Sequence, residues 1–554
     1  MILALFLAAC ELPPAPAPAP VPATGGPVTV IQDPGPATDY AAYTLGALAL
    51  PAGTWPMGLA FVGESLWVAD LRSQGLLELD PGDGTLRARH PHDGLFPAGL
   101  AAAGDTLYAT DLWDDDRIQR LAPDAADHPW PLPWYETWAW GVAASPERLY
   151  ALDARNKKII AIDLVDGSEL YTFAAPGKRP AGLCWDGRWL WSADIESRRL
   201  FMLDPERGWV LHSLPSPARH PSGLTERAGD LWVSDLETSQ VFQARRFAEA
   251  PYVEDQAQRY RVSFRLDLVA RGEGALRDVE VAIALPETRP GQVILAEPSF
   301  SDEPSEMVTE PSGQRLALFH VPSIGSGEDR QVSMELDVEV RRVRWQLDPD
   351  AVPALPVPLP LALSPALADG RKLDMANASI VERARRAAGD EQNPYLRARR
   401  IYEDLVDAIR YDRSGGWGAA PTVLARGSGS CSEYTFALLA LWRAAGIPCR
   451  YVGALVRRGP TSGVDFVFHR WAEVWLGERW GWVAVDPNAG SSEVPEERGA
   501  AFGGLDGRFL VTTVSYGESE HLDWSYGYAV TSYRVEGSAR LEEQPVAVWV
   551  PLGE

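Results

Sequence analysis

The sequence repeats itself with a period of about 41 residues. A Gly followed by Leu or Val recurs five times, at spacings of 41, 42, 41 and 41 residues: Gly58, Gly99, Gly141, Gly182 and Gly223. Each is followed by a short apolar segment that ends in an aspartate: Asp70, Asp111, Asp153, Asp194 and Asp235. A period near 40 that holds several short strands is typical of β-propeller blades. We therefore predict an all-β propeller of about five blades over residues 40–248, with a degenerate sixth blade as the alternative count.

One end of this repeat region lacks a strand and the other end has an extra one. The last unit has no obvious fourth strand after residues 240–243, whereas a spare apolar strand, residues 43–50, precedes the first unit. Pairing these two segments would remove sheet edges that otherwise invite aggregation. We expect them to lie side by side.

The repeated aspartates have two interpretations. They could line a site for a cation or another ligand, or they could cap the loop after each strand by accepting backbone N–H bonds. We expect the second, because such capping is a common use of Asp. The repeat resembles NHL- and YVTN-type propeller repeats, and this resemblance implies a binding platform whose ligand the sequence does not identify.

The N-terminus predicts an exported protein. Residues 1–9 are apolar and end at Cys10, too short a segment to span ~30 Å of hydrocarbon as a helix, so we interpret them as a signal peptide. Leu7-Ala8-Ala9-Cys10 resembles the bacterial lipobox, which implies lipidation of Cys10 and a location in the cell envelope. Residues 10–39, rich in Pro and Ala, would form a semi-rigid tether. The alternative is an incidental apolar N-terminus with a free Cys10, on an enzyme that stays in the cytoplasm.

Charge and cysteine content exclude several classes of protein. Lys plus Arg is 51 and Asp plus Glu is 76, so the formal net charge is −25. This argues against a nucleic-acid partner and against electrostatic docking on anionic membranes. The chain has four cysteines, too few for a disulfide framework. Cys184 and Cys449 are predicted to be buried thiols, and no metal or cofactor site is predicted.

Residues 249–350 alternate apolar and polar side chains with a period of two. The alternation is clear over residues 260–268, 279–285 and 332–340 and predicts the half-buried antiparallel strands of a β-sandwich. After a Pro-rich connector at 353–365 the period changes, and residues 380–388 and 395–409 read as amphipathic helices. We predict a further, α+β catalytic domain over 351–554.

A cysteine opens the next helix of this domain. Ser430 and Glu433 fit the S-x-x-E capping box, which places Cys431 at the first position of a helix that ends near Ala445. A thiol at that position lies at the positive end of the helix dipole, which lowers its pKa. The N–H of Cys431 could also help to form an oxyanion hole.

A hairpin supplies two partners for the cysteine. Its strands, residues 469–476 and 479–486, are separated by Gly477-Glu478, a pair suited to a two-residue type II′ turn. In that register His469 lies directly opposite Asp486. An Asp next to a His fixes the imidazole tautomer and stabilises its charged form. Spacing alone thus predicts the His469–Asp486 pair. A structural cysteine, a sheet histidine and a turn aspartate are the alternatives, but the joint occurrence of this pair with the capped Cys431 favours a catalytic site.

These residues resemble three sequence blocks of the transglutaminase-like superfamily. The blocks are the helix from Cys431 to Gly446-Ile447-Pro448, the His-x-Trp-x-Glu strand at 469–473, and the Gly-Trp…Asp-Pro strand at 481–487. The resemblance covers residues 361–554 and implies a papain-like fold. The family usually has a small residue after the His, where this chain has Arg470.

The resemblance also implies roles for individual residues. Cys431 would be the nucleophile, His469 the general acid and base, and Asp486 the orienting acid of an enzyme acting on protein or peptide amides. Trp417 and Trp471 are candidates for a pocket wall or an oxyanion donor. Hydrolysis and transfer to an amine both remain open. The rival hypothesis is a cell-surface interaction protein with a non-catalytic domain of this fold, although a complete triad argues against it.

Overall fold

The computed structural model describes residues 42–91, 96–112, 117–121, 128–131, 138–412 and 416–553. The predicted signal peptide (1–9), the tether (10–39) and Cys10 lie outside the described residues. Within the ranges given, no helix combines the length and the apolar character needed to cross a membrane.

The repeat region forms five four-stranded antiparallel sheets in the described part of the chain. The strands are β1 (Thr44–Ala49), β2 (Pro56–Val62), β3 (Ser65–Asp70), β4 (Gly75–Leu79), β5 (Leu86–Pro91), β6 (Pro97–Ala103), β7 (Thr106–Asp111), β8 (Arg117–Leu121), β9 (His128–Pro131), β10 (Ala139–Ala144), β11 (Arg148–Asp153), β12 (Lys158–Asp163), β13 (Glu169–Ala174), β14 (Pro180–Trp185), β15 (Leu190–Asp194), β16 (Arg199–Leu203), β17 (Val210–Pro215), β18 (Pro221–Arg227), β19 (Asp230–Asp235) and β20 (Gln240–Arg245). Four sheets are consecutive, β2–β5, β6–β9, β10–β13 and β14–β17. The remaining sheet has the order β1-β20-β19-β18, so the spare N-terminal strand pairs with the last unit as predicted.

The repeated glycines are explained by the close approach of the inner strands. A Cβ added at Gly58 would lie 2.2 Å from the backbone nitrogen of Leu100 in the next sheet. One added at Gly223, in β18, would lie 1.9 Å from the carbonyl oxygen of Met57 in β2. Only a residue without a side chain allows two backbones to approach this closely.

The repeated aspartates cap loops. Asp70 accepts a hydrogen bond from the backbone N–H of Trp55 at 2.8 Å, and Asp235 accepts one from the backbone N–H of Arg219 at 2.8 Å. Asp194 accepts from the backbone N–H of Ser197 at 2.7 Å. The loop-capping interpretation is therefore confirmed for these positions.

A β-sandwich follows the propeller, as the period of two predicts. Its first strands are β21 (Tyr252–Arg271), β22 (Gly274–Ala284), β23 (Gln292–Ile294), β24 (Ser299–Phe300), β25 (Glu306–Thr309), β26 (Arg315–Gly325) and β27 (Asp329–Trp345). The inward-facing side chains of β21 and β27, such as Val262, Phe264 and Leu336, share one buried apolar cluster with Val281 and Ile283 of β22.

The third part is α+β. Its elements are a 3-10 helix (Leu361–Leu367), α1 (Ala378–Ala388), α2 (Pro394–Ala408), β28 (Arg410–Tyr411), α3 (Ala420–Arg426), β29 (Ser428–Gly429), α4 (Cys431–Ala444), β30 (Cys449–Val456), β31 (Gly463–Asp465), β32 (His469–Trp475), β33 (Trp482–Val485), a 3-10 turn (Ala489–Ser491), α5 (Pro495–Ala500), β34 (Gly504–Leu505) and β35 (Phe509–Ser515). Four of these strands form a sheet of order β33-β32-β30-β35, and the buried helix α4 packs against it.

The end of the chain returns to the sandwich. The last two strands are β36 (Tyr528–Gly537), which pairs with β22, and β37 (Arg540–Pro551), which pairs with β21. The predicted boundary of 351–554 therefore includes four strands that belong to the sandwich sheets, since β31 pairs with β37 and β34 pairs with β27. The sequence-based boundary missed them because local periodicity reveals a strand but does not reveal which distant strand it joins.

The propeller packs directly against the α+β part. The hydroxyl of Tyr395 in α2 donates a hydrogen bond to the carbonyl of Leu211 in β17 at 3.1 Å. One apolar cluster contains both Leu224 of β18 and Ile401 of α2. The two parts therefore share a continuous buried core.

Candidate active site

Cys431 lies at the start of α4, where the capping box places it. The Oγ atom of Ser430 accepts a hydrogen bond from the backbone N–H of Glu433 at 3.4 Å, and Oε2 of Glu433 accepts one from the backbone N–H of Ser430 at 3.0 Å. Both bonds of the predicted box are present. The Cys431 side chain is 7% exposed. The first N–H groups of a helix have no partner within the helix and together carry a partial positive charge. The Cys431 thiol lies beside this charge.

Glu433 also ties a neighbouring loop to the helix start. Its buried carboxylate accepts from the backbone N–H of Gly418 at 2.9 Å and from Nη2 of Arg426 at 2.6 Å. Trp417 is thereby held close to the start of α4. One acidic side chain thus orders both the cysteine and the loop beside it.

His469 and Asp486 form the second half of the site. Nε2 of His469 lies 2.6 Å from Oδ2 of Asp486. The other carboxylate oxygen accepts the backbone N–H groups of Asn488 and Ala489, each at 3.1 Å. Because an ionised carboxylate only accepts, we assign the donated proton to Nε2, which leaves Nδ1 for the cysteine. Asp486 thus both caps a turn and orients the imidazole.

The predicted hairpin register is wrong by two residues. Trp475 pairs with Trp482, so the loop runs from Leu476 to Gly481 and is wider than a two-residue turn. Trp480 leaves the ladder because its ring is buried and its Nε1 donates to the carbonyl of Gln346 at 2.7 Å. A slip of two residues keeps every side chain on its face. His469 and Asp486 therefore still meet, diagonally and just beyond the last residue of β33.

The electrostatic environment favours a thiolate and an imidazolium. Burial raises the pKa of Cys431, but the hydrogen bond and charge of His469 outweigh this and lower it overall. Burial lowers the pKa of His469, but Asp486 and Cys431 outweigh this and raise it to about 10. Burial also raises the pKa of Asp486, and the charge of His469 reverses this, so the carboxyl group stays ionised. The three groups are thus arranged as alternating charges.

Tyr526 is a site residue that the sequence analysis missed. Its hydroxyl oxygen lies 3.8 Å from Sγ of Cys431 and contacts the hydroxyl of Ser432. Burial raises the pKa of Tyr526, so the phenol stays protonated and can donate to the thiolate. It comes from the segment between β35 and β36, 95 residues after the cysteine, and no motif marks it.

The two predicted pocket tryptophans lie in different environments. Trp417 is 38% exposed, and its ring packs edge-on against Tyr526 with 5.6 Å between centroids, a suitable position for a wall. Trp471 is 1% exposed and packs against Phe509, beside the His469 ring. It cannot line an open pocket as predicted, because it belongs to the core that supports the imidazole.

The other two described cysteines are buried thiols, as predicted. Cys449 is fully buried and its pKa is raised to about 11 by burial. Cys184 is also buried, and burial raises its pKa well above the ordinary value. Neither has the electrostatic support that surrounds Cys431.

Residues 381–487 match the family model of the Transglutaminase-like superfamily. The chain therefore contains a transglutaminase-like domain, placed beside a propeller and a sandwich.

Solved structures resemble the chain at low identity. A Cytophaga hutchinsonii protein provisionally assigned as a cysteine protease is 16% identical over 55% of this chain and 93% of its own, with a TM-score of 0.39. Glutaminyl cyclase from Myxococcus xanthus is 13% identical over 36% and 94%, with a TM-score of 0.32. An inactive virginiamycin B lyase from Staphylococcus aureus is 17% identical over 33% and 64%, with a TM-score of 0.26. No curated protein matches the chain.

Proposed function

We propose that the protein is a thiol enzyme that acts on amide bonds of proteins or peptides. One observation carries this proposal. Cys431 opens helix α4 beside His469, whose Nε2 lies 2.6 Å from the Asp486 carboxylate, and although burial raises the pKa of this thiol, the hydrogen bond and charge of His469 lower it overall. Burial instead raises the pKa of the Cys449 thiol to about 11.

The proposed reaction begins with the thiolate. Sγ of Cys431 bonds to the carbonyl carbon, and the carbonyl π electrons move to oxygen as an oxyanion, which N–H groups at the start of α4 can stabilise. When the carbonyl re-forms, the C–N bond breaks and the leaving amine takes a proton from His469. The products of this half-reaction are a free amine and a thioester on Cys431.

The thioester is then transferred to an acceptor. His469, now neutral, removes a proton from water or from a primary amine, and the acceptor attacks the thioester carbonyl. Sγ leaves as the thiolate and the imidazolium is restored, so the cycle closes without a cofactor. We favour water, which makes the net reaction amide hydrolysis, and an amine would give crosslinking through the same intermediate.

We further propose a cell-envelope location, with Cys10 as a lipid anchor and the propeller as a platform for substrate or partner. The apolar leader, the Leu7-Ala8-Ala9-Cys10 sequence and the Pro/Ala tether support this. Mass spectrometry of the mature N-terminus tests it. A diacylglyceryl-modified Cys10 is expected, and an intact Met1 or unmodified Cys10 would contradict the anchor.

The activity is tested with full-length protein and a peptide mixture that includes glutaminyl peptides, with and without a primary amine. Mass spectrometry of the products separates hydrolysis from transfer. Turnover should be lost in Cys431→Ala and retained in Cys449→Ala, a matched control in which the thiol removed is buried. Turnover that persists in Cys431→Ala would contradict the proposal.

A further inference from the structure

Arg470, the second residue of strand β32, is a buried cation. Its side chain is fully buried, and within the described ranges it forms no ion pair with Asp or Glu. Its Nη2 donates to the carbonyl of Trp524, while Nε and Nη1 have no hydrogen-bond partner in the part of the chain that the structure describes. Another buried arginine, Arg399, pairs with Glu403 at 2.7 Å. Removing a guanidinium from water without an anion is strongly unfavourable, so Arg470 requires a reason.

Four aromatic rings surround the guanidinium. Its Cζ lies 4.5 Å from the ring centroid of Tyr526, 4.8 Å from Tyr451, 4.9 Å from Trp417 and 5.0 Å from Phe436. Aromatic faces attract a cation, and this attraction is larger where water is excluded. The rings compensate part of the desolvation, but they carry no net charge.

The Tyr526 ring lies between the Arg470 guanidinium and the Cys431 thiol. Tyr526 has Arg470 over its ring, and its hydroxyl oxygen lies 3.8 Å from Sγ of Cys431. A cation over a phenol ring withdraws electron density and makes the hydroxyl a stronger donor. The thiolate of Cys431 is therefore the anion that could balance the buried guanidinium.

We propose that Arg470 is a positioning residue that acts as the buried counter-cation of the Cys431 thiolate, partly through the Tyr526 hydroxyl. This inference rests on the proposed function, since it assigns the thiolate a source of stabilisation in addition to His469 and the N-terminus of α4.

The groups that act on the thiol come from several elements. His469 and Arg470 of β32 both lower the pKa of Cys431, and Tyr526 does so through its hydrogen bond. Asp486 acts indirectly through His469. Removing the charge of Arg470 should therefore raise the pKa of Cys431 but should not abolish the ionisation that His469 supports.

The test is the pH profile of iodoacetamide alkylation at Cys431, measured peptide by peptide on the full-length protein. Arg470→Met keeps the length of the side chain and removes its charge. In this variant we expect the acid limb of the profile, where reactivity rises as the thiol ionises, to move to higher pH by about one unit. The reason is that a nearby opposite charge lowers a pKa by about that much or more. Arg470→Lys, which keeps the charge, should move it less.

Arg450→Met is the matched control. Arg450 lies on the adjacent strand β30, where its guanidinium lies over the Trp482 ring at 4.3 Å and its charge is balanced by the Glu473 carboxylate. Its profile should match that of the unaltered protein. The proposal is overturned if Arg470→Met leaves the profile unchanged, if the Met and Lys variants at Arg470 shift it equally, or if Arg450→Met shifts it as much.

Two further measurements cover the remaining outcomes. If circular dichroism shows that Arg470→Met does not fold, Arg470→Lys and Tyr526→Phe decide, because Tyr526→Phe keeps the ring and removes only the donor. Tyr526→Phe should move the acid limb of the alkylation profile to higher pH, with Tyr528→Phe as its control. An unchanged profile would overturn the role proposed for the Tyr526 hydroxyl. An unaltered protein that is not alkylated below pH ~8.5, where ordinary thiols ionise, would instead refute the proposed function itself.

Discussion

Replacing Asp486 by Asn should lower the pKa of His469 without changing the shape of the site. The amide of Asn has nearly the same volume as the carboxylate but no charge. Nε2 of His469 now lies 2.6 Å from Oδ2 of Asp486, and both side chains are largely buried. The variant therefore removes the main electrostatic support of the imidazolium.

The magnitude follows from the pKa of His469. Burial favours the neutral ring, yet the pKa rises from its ordinary 6.5 to about 10, with Asp486 the largest favourable influence and Cys431 the next. At about 1.4 kcal/mol per pKa unit, this rise corresponds to about 5 kcal/mol. An opposite charge in direct contact shifts a pKa by about one to three units, so the variant should lower the pKa of His469 by about two units. The thiolate–imidazolium form should then become about 100-fold less favourable.

The assay is iodoacetamide alkylation of Cys431 as a function of pH, with the alkylated peptide quantified by mass spectrometry. The acid limb should move to higher pH, because a less basic His469 no longer holds the thiol ionised. Glu473→Gln is the matched control, since it removes a different buried carboxylate, that of Glu473 in β32, which pairs with Arg450 and Arg289. A profile of Asp486→Asn that superimposes on that of the unaltered protein would refute the reasoning.

Three further predictions concern stability and reactivity. Ser430→Ala removes the helix cap and should destabilise the transglutaminase-like domain by about 1 kcal/mol, seen by calorimetry as a lower transition temperature; an unchanged transition would show that the cap is dispensable. Gly223→Ala places a Cβ 1.9 Å from the carbonyl oxygen of Met57, so the propeller should unfold at lower temperature or fail to fold, and wild-type stability would contradict this close approach. Cys449, whose pKa is about 11, should resist iodoacetamide in native protein at pH 7 while Cys431 reacts, and equal labelling would contradict the assigned burial.

Features set by local sequence could be predicted well. The capping box at Ser430 and Glu433 depends on two side chains three residues apart and places Cys431 correctly. The propeller repeat is visible because each unit reuses the same glycine and aspartate positions. The meeting of His469 and Asp486 was predictable although the register was not, since a two-residue slip preserves the face of a strand.

Features set by long-range packing could not be predicted. The wider hairpin loop depends on Trp480, which donates to Gln346, 134 residues earlier. Strand β37 pairs with β21, about half the chain away, and nothing in its own pattern names that partner. Tyr526 reaches the thiol only because the chain returns past the site before β36 begins. In each case the decisive contact joins segments that are far apart in sequence.

The central claim is that Cys431 forms a thioester with an amide substrate. It is tested most directly by acid-quenching the full-length protein during turnover of the peptide mixture and measuring the mass of the peptide that carries Cys431. We predict an acyl adduct on Cys431 that decays by hydrolysis, and loss of both adduct and turnover in Cys431→Ala. Amide turnover without any adduct, undiminished in Cys431→Ala, would contradict it.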